Sequence, residues 1–537
     1  MWFFPSHRTG PANSARRSWS CRPRLEVLED RCLLSGPGTL DPTFGQGGAV
    51  TTNFGKKSAD AARSVAVQAD GKLIAAGFDS TNGHYFALAR YNANGTPDSS
   101  FGTGGKVLTQ LDSSTAGFDS WGFVLQPDGK IVVGGWTYRS SAYELVRYNT
   151  NGTPDTTFGA SHTGVVLTSF TGAWPAVAGL ALESVNGGTK LVAGVYWSNS
   201  SGFNTAFALA RYNLDGNLDP SFGVGGEVVT PVSPGGNGKV LNVATQPDGK
   251  ILVAGQAPSP LNSSSVPHFT VARYDTGGNL DATFGSGGFV QLDPGHTYTL
   301  AVQPDGKIVA GGDLNNDLPT VARLNGDGSL DSTFGSGGVV TTSVASSYSV
   351  RSLTLQTNGK IVAAENTNGS TDAVVRYNAN GTVDTGFGNA GAAPVPLGTS
   401  ALGLTLQADG KIVVAGRGAG TRQNSTDFVV ARYLGDPIPV ISSFTASAYT
   451  VTSGGSMTLT ASNITDGNPG ATITQVAFYA QVNGSNTLLG YGTQSSPGVW
   501  TFNYTVTLAP GTYTLFAQAE DSFGVFGDLT ALTLQVI

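Results

Sequence analysis

Residues 64–77 read SVAVQADGKLIAAG, and residues 86–107 read FALARYNANGTPDSSFGTGGKV. Val65–Gln68 and Leu73–Ala76 flank the tight turn Ala69-Asp70-Gly71, whose Asp-Gly pair is a hairpin signal. Phe86–Tyr91 is a third extended run, and Lys106–Thr109 is a fourth after the Gly-rich segment. The wording then recurs down the chain. D-x-x-F-G occurs with Phe44, Phe101, Phe158, Phe222, Phe284, Phe334 and Phe387, at spacings of 57, 57, 64, 62, 50 and 53 residues. Q-x-D-G-K occurs at Gln68–Lys72, Gln126–Lys130, Gln246–Lys250, Gln303–Lys307 and Gln407–Lys411. It is altered at Gln356–Lys360, where Asn358 replaces Asp, and eroded around Glu183–Lys190. A third element, A/V-R-Y/L, is centred on Arg90, Arg147, Arg211, Arg273, Arg323, Arg376 and Arg432. Four strands per repeat, seven times over, predict an all-β, seven-bladed β-propeller.

The chain ends predict how the ring closes. The first copy opens at Asp41–Gly45 with a strand near Ala49–Thr52 and lacks the strands that normally precede it. The last copy has Leu402–Gln407, Ile412–Val414 and Phe428–Tyr433 but no D-x-x-F-G strand after them. The N-terminal strand is therefore expected to complete the last blade and remove a large unpaired edge. Arg432 should then meet Asp41.

Three motifs in fixed order, G-G-x-V, Q-P-D-G-K-I-V-V-A-G and A-R-Y-N-x-D-G-x-L-D-x-x-F-G, resemble the delta-60 repeat family of bacterial β-propellers over residues 38–434. The resemblance implies the fold. It implies no activity, because propellers host many functions.

Composition agrees with strands and turns. The 537 residues include 75 glycines and 12% charged residues, with a net charge of −7. A mildly acidic chain without Lys/Arg clusters gives no support for a nucleic-acid partner. No apolar run of 18 residues is present, so no transmembrane segment is expected. Cys21 and Cys32 both precede residue 36, leaving the folded regions without a disulfide or a thiolate metal site.

Residues 1–36 differ in kind, with six arginines and no apolar block of signal-peptide length. Arg16-Arg17 hints at a twin-arginine signal, but the segment after it is charged. Arg24–Ser35 resembles the LEPR-x-LL motif near the N-terminus of exported planctomycete-type bacterial proteins, with Asp30 in place of its Pro. Residues 1–36 are thus read as an export-associated leader, and the protein as extracellular or at the cell surface.

After Tyr433, Pro437 and Pro439 mark a linker. Residues 440–537 alternate apolar and polar positions at Met457–Ala461, Val476–Ala480, Trp500–Val506 and Tyr513–Ala519. Short alternating strands without helices predict a β-sandwich. Leu508–Tyr513 followed by Ala519–Asp521 resembles the last strands of bacterial immunoglobulin-like modules. The expected domains are the leader (1–36), the propeller (37–434) and an immunoglobulin-like sandwich (435–537).

The repeated side chains read as structural: Phe as plugs between blades, and Arg paired with Asp. Asn92, Asn94 and Asp98, like Asn325, Asp327 and Asp331, have part of a calcium-loop spacing but lack its bidentate twelfth-position acid. The same residues favour turns by capping their own backbone. No cofactor is assigned, with calcium the one ion this spacing raises.

Binding should reside where copies differ, in the loops of the face opposite the Q-x-D-G-K turns. Trp121, Trp136, Tyr138, Trp174, Tyr196 and Trp197 fall in or beside those loops in two adjacent blades. Their flat rings suit a sugar or an apolar group of a partner, or else cap the core between blades. His7, His84, His162, His268 and His296 show no metal-ligand spacing, and no nucleophile elbow or phosphate loop occurs. Glu144 and Glu365 are the acids outside the repeat pattern. The expectation is a monomeric, exported, non-catalytic binding or surface-structural protein that recognises a glycan or protein through this variable face. A secreted hydrolase or lyase with carboxylates at the channel mouth is the alternative.

Overall fold

The computed structural model describes residues 36–537 except 56–58, 80–84, 111–121, 137–141, 171–172, 186, 200–205, 233–237, 259–265, 316, 343–346, 368–371, 397–399, 421–424, 437, 467–471, 483–484 and 523–524. The leader, with its export-like motif, lies outside the described residues, as do Pro437, Trp121 and Tyr138. Among the described residues no helix is long and apolar enough to cross a membrane.

Seven antiparallel four-stranded blades follow one another. Blade 1 is Asp60–Val67, Leu73–Asp79, Tyr85–Tyr91 and Lys106–Gln110, paired in sequence order. Its two middle strands are buried almost throughout, because neighbouring blades cover both faces. Blade 6 is Ser347–Leu355, Ile361–Thr367, Ala373–Tyr377 and Ala392–Pro394. Blades 4 and 5 share one long strand, Phe289–Val302. Its start pairs with Pro267–Tyr274 of blade 4, and its end pairs with Ile308–Leu314 of blade 5. This continuity coincides with the shortest repeat spacing, the 50 residues from Phe284 to Phe334.

Closure is as expected. Blade 7 is Ser400–Leu406, Ile412–Ala419 and Thr426–Tyr433, completed by Ala49–Thr52 from the other end of the propeller. That strand pairs with Phe428–Ala431, and Asp41 accepts from Arg432 Nε at 2.9 Å.

All three motifs meet in one knot, repeated seven times. Each Arg donates Nε to its Asp at 2.7–3.0 Å. Each guanidinium also stacks 4.5–4.7 Å from the centroid of a fully buried Phe. In six of the blades the Lys at the end of the turn grips the same Asp, as in Lys130–Asp155 at 2.9 Å and Lys307–Asp331 at 2.9 Å, whereas Lys411 of blade 7 pairs with Asp409 in its own turn. Arg90 donates onward to Thr150 O in the next blade, and Arg432 to Ala93 O, which carries the link across the closure. Burial alone would raise the Asp98 carboxyl. The Ser100 hydroxyl and amide, Lys72 and Arg90 outweigh it and hold the group well below the usual carboxylate range. Gly152 completes the knot: at φ 85° it lies on the preceding plug, and a Cβ there would come 2.9 Å from Phe101 Cε2.

The one altered turn has a structural reason. Arg376 donates to Asp436, in the linker, at 2.8 Å. Lys360 and Asn358 hold the other Asp436 oxygen, each at 3.2 Å. The usual Asp at position 358 would set a second carboxylate against Asp436, whereas the Asn amide donates to it. Asn358→Asp is therefore expected to cost about 1.5–3 kcal/mol at this latch. Limited proteolysis near Pro439 should then speed up, and an unchanged cleavage rate would refute the latch.

The C-terminal residues form two packed sheets. One holds Val440–Ala446, Ser456–Thr465, Val499–Thr505 and Thr493–Ser496. The other holds Thr450–Val451, Thr530–Val536, Gly511–Asp521, Ile473–Val482 and Ser485–Tyr491. Alternate residues point inward, among them Leu459, Phe478, Trp500, Leu515 and Leu534. Two sheets packed face to face are the β-sandwich that the alternation predicts.

Candidate functional site

The innermost strands of the blades surround a channel of about 900 Å³. At one end of these strands lie the Q-x-D-G-K turns. The other end forms the mouth. On most of these strands the pairing register slips by one residue near the mouth. The extra residues, Arg63, Ala178, Leu241, Tyr298, Arg351 and Leu402, all line the channel. A bulge re-aims one side chain while leaving the rest of the ladder in register. At the same sequence offset from the turn motif the second copy has Trp121, which lies outside the described residues.

Blade 6 departs from the repeat four residues before its arginine. Where blades 1, 2, 3, 4 and 7 bury Phe86, Tyr143, Phe207, Phe269 and Phe428, blade 6 buries the carboxylate of Asp372. Its oxygens accept the Thr367 amide at 2.9 Å and, from blade 7, the Ala401 amide at 2.8 Å. Burial raises the Asp372 carboxyl above its ordinary range, against those amides and the charges of Arg351 and Arg417. The Asn366 amide satisfies both of its atoms when its nitrogen faces Asp372 and its oxygen faces Arg351; in that orientation it donates to Asp372 at 3.1 Å and accepts from Arg351 Nε at 3.1 Å. The Arg351 guanidinium lies 4.1 Å from the Tyr298 ring centroid, and His296 stacks against that ring. Arg417 is exposed on the adjoining strand of blade 7, and Arg63 of blade 1 lies 5.6 Å from the Phe78 centroid. Among the channel-lining residues, three are arginines and one is an acid.

The aromatic residues singled out by sequence lie on other blades. Trp136 ends Ile131–Trp136 of blade 2, and Trp174 pairs with Ser198 in blade 3. Tyr196 is half-buried with the Lys239 ammonium 5.6 Å from its ring centroid. Trp197 is half-buried against the core between blades 2 and 3. Glu144 and Glu365 are both buried and do not line the channel. Glu365 accepts from the Tyr377 hydroxyl and from Thr342. The calcium-like spacing is used by the turns themselves. Asn94 Oδ1 accepts the Thr96 amide and hydroxyl, and Asp98 belongs to the Arg90 knot. Among the described residues no three His, Cys, Asp or Glu side chains converge as metal ligands.

The mouth arginines and Asp372 escape a reading that looks for aromatics in loops, because they stand on or directly beside strands. Their signal is a comparison between copies: aligned on the repeated arginine, Asp372 stands where five other copies carry Phe or Tyr.

No curated protein matches the sequence. Among solved structures, the chain is similar to the plexin A4 extracellular region at 9% identity and a TM-score of 0.39. It covers 89% of this chain and spans 61% of that one, less than two thirds. It is also similar to AofleA from Arthrobotrys oligospora, at 11% identity and TM-score 0.35, covering 67% of this chain and 95% of that one. A GH43_1 enzyme from Xanthomonas citri complexed with xylotriose aligns at 12% identity and TM-score 0.24, over 48% and 87% of the two chains. At these overlaps none of the three bears on the chemistry of this chain. The repeats give the specific match: residues 68–101, 126–158, 190–222, 246–284, 303–334, 356–387 and 407–436 each match the family described as a domain of unknown function (DUF5122) beta-propeller, so the ring is a seven-repeat β-propeller similar to that family.

Proposed function

We propose that the protein is an exported, non-catalytic binding protein that holds a glycan or protein ligand on the propeller face bearing the channel mouth. One observation carries this reading: the seven repeat arginines are consumed in internal ion pairs, whereas Arg63, Arg351, Arg417 and Asp372, which stand outside the repeated motifs, line the channel together. Variable side chains on a rigid scaffold are the usual arrangement for recognition. Resemblance of the leader to LEPR-x-LL segments and of the repeat to the delta-60 family supports an extracellular or cell-surface location. The competing reading is a secreted hydrolase or lyase. Asp372 at the mouth favours it to the extent of one carboxylate, and glycoside hydrolysis ordinarily needs a facing pair.

The test is a soluble-glycan screen with the full chain and with Trp136→Ala and Trp197→Ala. Saturable binding without turnover, weakened about tenfold or more by either substitution or by changes at the mouth, is the expected result. Because Trp197 also packs on the core, its variant counts only with an unchanged melting temperature. Product formation from a bound glycan would replace this reading with the enzymatic one.

A further inference from the structure

We propose that the arc of the mouth formed by blades 5, 6, 7 and 1 is a site for a carboxylate-bearing sugar, a uronic acid unit of a short oligosaccharide or chain end, with Arg351 and Arg417 receiving the carboxylate. This rests on the binding reading above and names the ligand class for the same face. All seven repeat arginines are ion-paired, but Arg351 and Arg417 have no ion-pair partner among the described residues. Arg351 is also held in place before any ligand arrives, by the Tyr298 ring at 4.1 Å and by Asn366 at 3.1 Å. A guanidinium fixed in this way loses little side-chain freedom on binding, and its fork matches a carboxylate.

The cost of the arrangement points to use. Blade 6 replaces a buried aromatic ring with the Asp372 carboxylate, and that acid orients Asn366, which in turn holds Arg351. Burying a carboxylate in place of a ring lowers stability unless the group is fully hydrogen-bonded. Here its bonds tie the site's two strands together rather than neutralise either arginine by contact.

The remaining lining chooses the sugar. Tyr348, Ser352, Thr367 and Ser400 offer hydroxyls beside the arginines. Such a wall suits a polyhydroxyl ring better than a peptide side chain, which is usually anchored by apolar pockets. A channel of about 900 Å³ admits a short ligand, and a chain of net charge −7 does not attract long polyanions from a distance.

Isothermal titration of the full chain with trigalacturonate, its methyl ester and a glutamate-rich peptide tests this. Trigalacturonate should bind, the ester should bind at least tenfold more weakly, and added salt should weaken the acid form alone. Arg417→Gln, at an exposed position, and Arg351→Gln should each weaken binding by about 10–100-fold. Arg351→Lys should recover only part of the loss, since it lacks the fork. Equal affinity for acid and ester overturns carboxylate recognition and leaves the binding reading standing. Acid binding that survives both arginine substitutions overturns the placement. Preference for the peptide overturns the sugar class. No binding of any probe by the unaltered chain overturns the proposal, while the neutral-glycan screen decides separately whether the face binds at all.

Discussion

Deleting residues 36–55 is expected to drive the protein into aggregate. The deletion removes Ala49–Thr52 and strips the outer partner from Thr426–Tyr433 of blade 7. It also removes Phe44, fully buried in the core between blades 7 and 1, and the Asp41 carboxylate that holds Arg432. Three losses coincide: an exposed strand edge, an empty plug site, and a buried guanidinium deprived of its acid. Each is costly alone, at about 3–5 kcal/mol for the plug and a similar amount for the broken pair. The bare edge offers a template for pairing between chains. Size-exclusion chromatography should show the truncated chain in the void volume, and a synthetic 36–55 peptide added during refolding should restore part of the monomer. A truncated monomer with an unchanged melting temperature would mean that the ring does not depend on its N-terminal strand.

The second large effect is expected from Phe158→Ala. Phe158 is fully buried between blades 2 and 3, beneath the Arg147 guanidinium at 4.6 Å and against Gly216 of the following turn. Removing the ring leaves a cavity that the tight Gly216 backbone cannot fill. It also takes away the face on which the guanidinium stacks. The expected loss is about 3–5 kcal/mol for the ring and a further ~0.5–1 kcal/mol for the stacking. A lowered urea midpoint measures it, and Phe158→Leu should recover more than half. A loss below about 1 kcal/mol would show that the plug is not a keystone of the blade interface.

How much of this was legible in the sequence depends on what repetition can encode. Phe44 through Phe387, the seven arginines and the closure from Asp41 to Arg432 were readable because the same physical demand recurs in every blade. Repetition also exposes its own exceptions. Asn358 is readable as a deviation, but its reason, Asp436 returning from the linker, is a contact across 78 residues that no local pattern contains. Asp372 and Arg351 are single departures on two strands of one blade. Only the folded register places them on one channel wall beside Arg417. The aromatic residues were visible for the opposite reason: Trp and Tyr are conspicuous in any sequence, and Trp197 shows that a conspicuous ring can still be packed into a core.

The Asp436 latch also sets the direction in which the molecule can be tethered. The chain leaves the ring beside the turn of blade 6, at the end of the strands away from the channel mouth. Tension applied through the C-terminal sandwich is therefore delivered to a carboxylate clamped by Lys360 and Arg376, and from there into a blade whose strands are knotted to both neighbours. A partner or surface that holds the sandwich pulls from behind. Such a pull enters the ring at the end of the strands opposite the mouth, as a cup is carried by its stem.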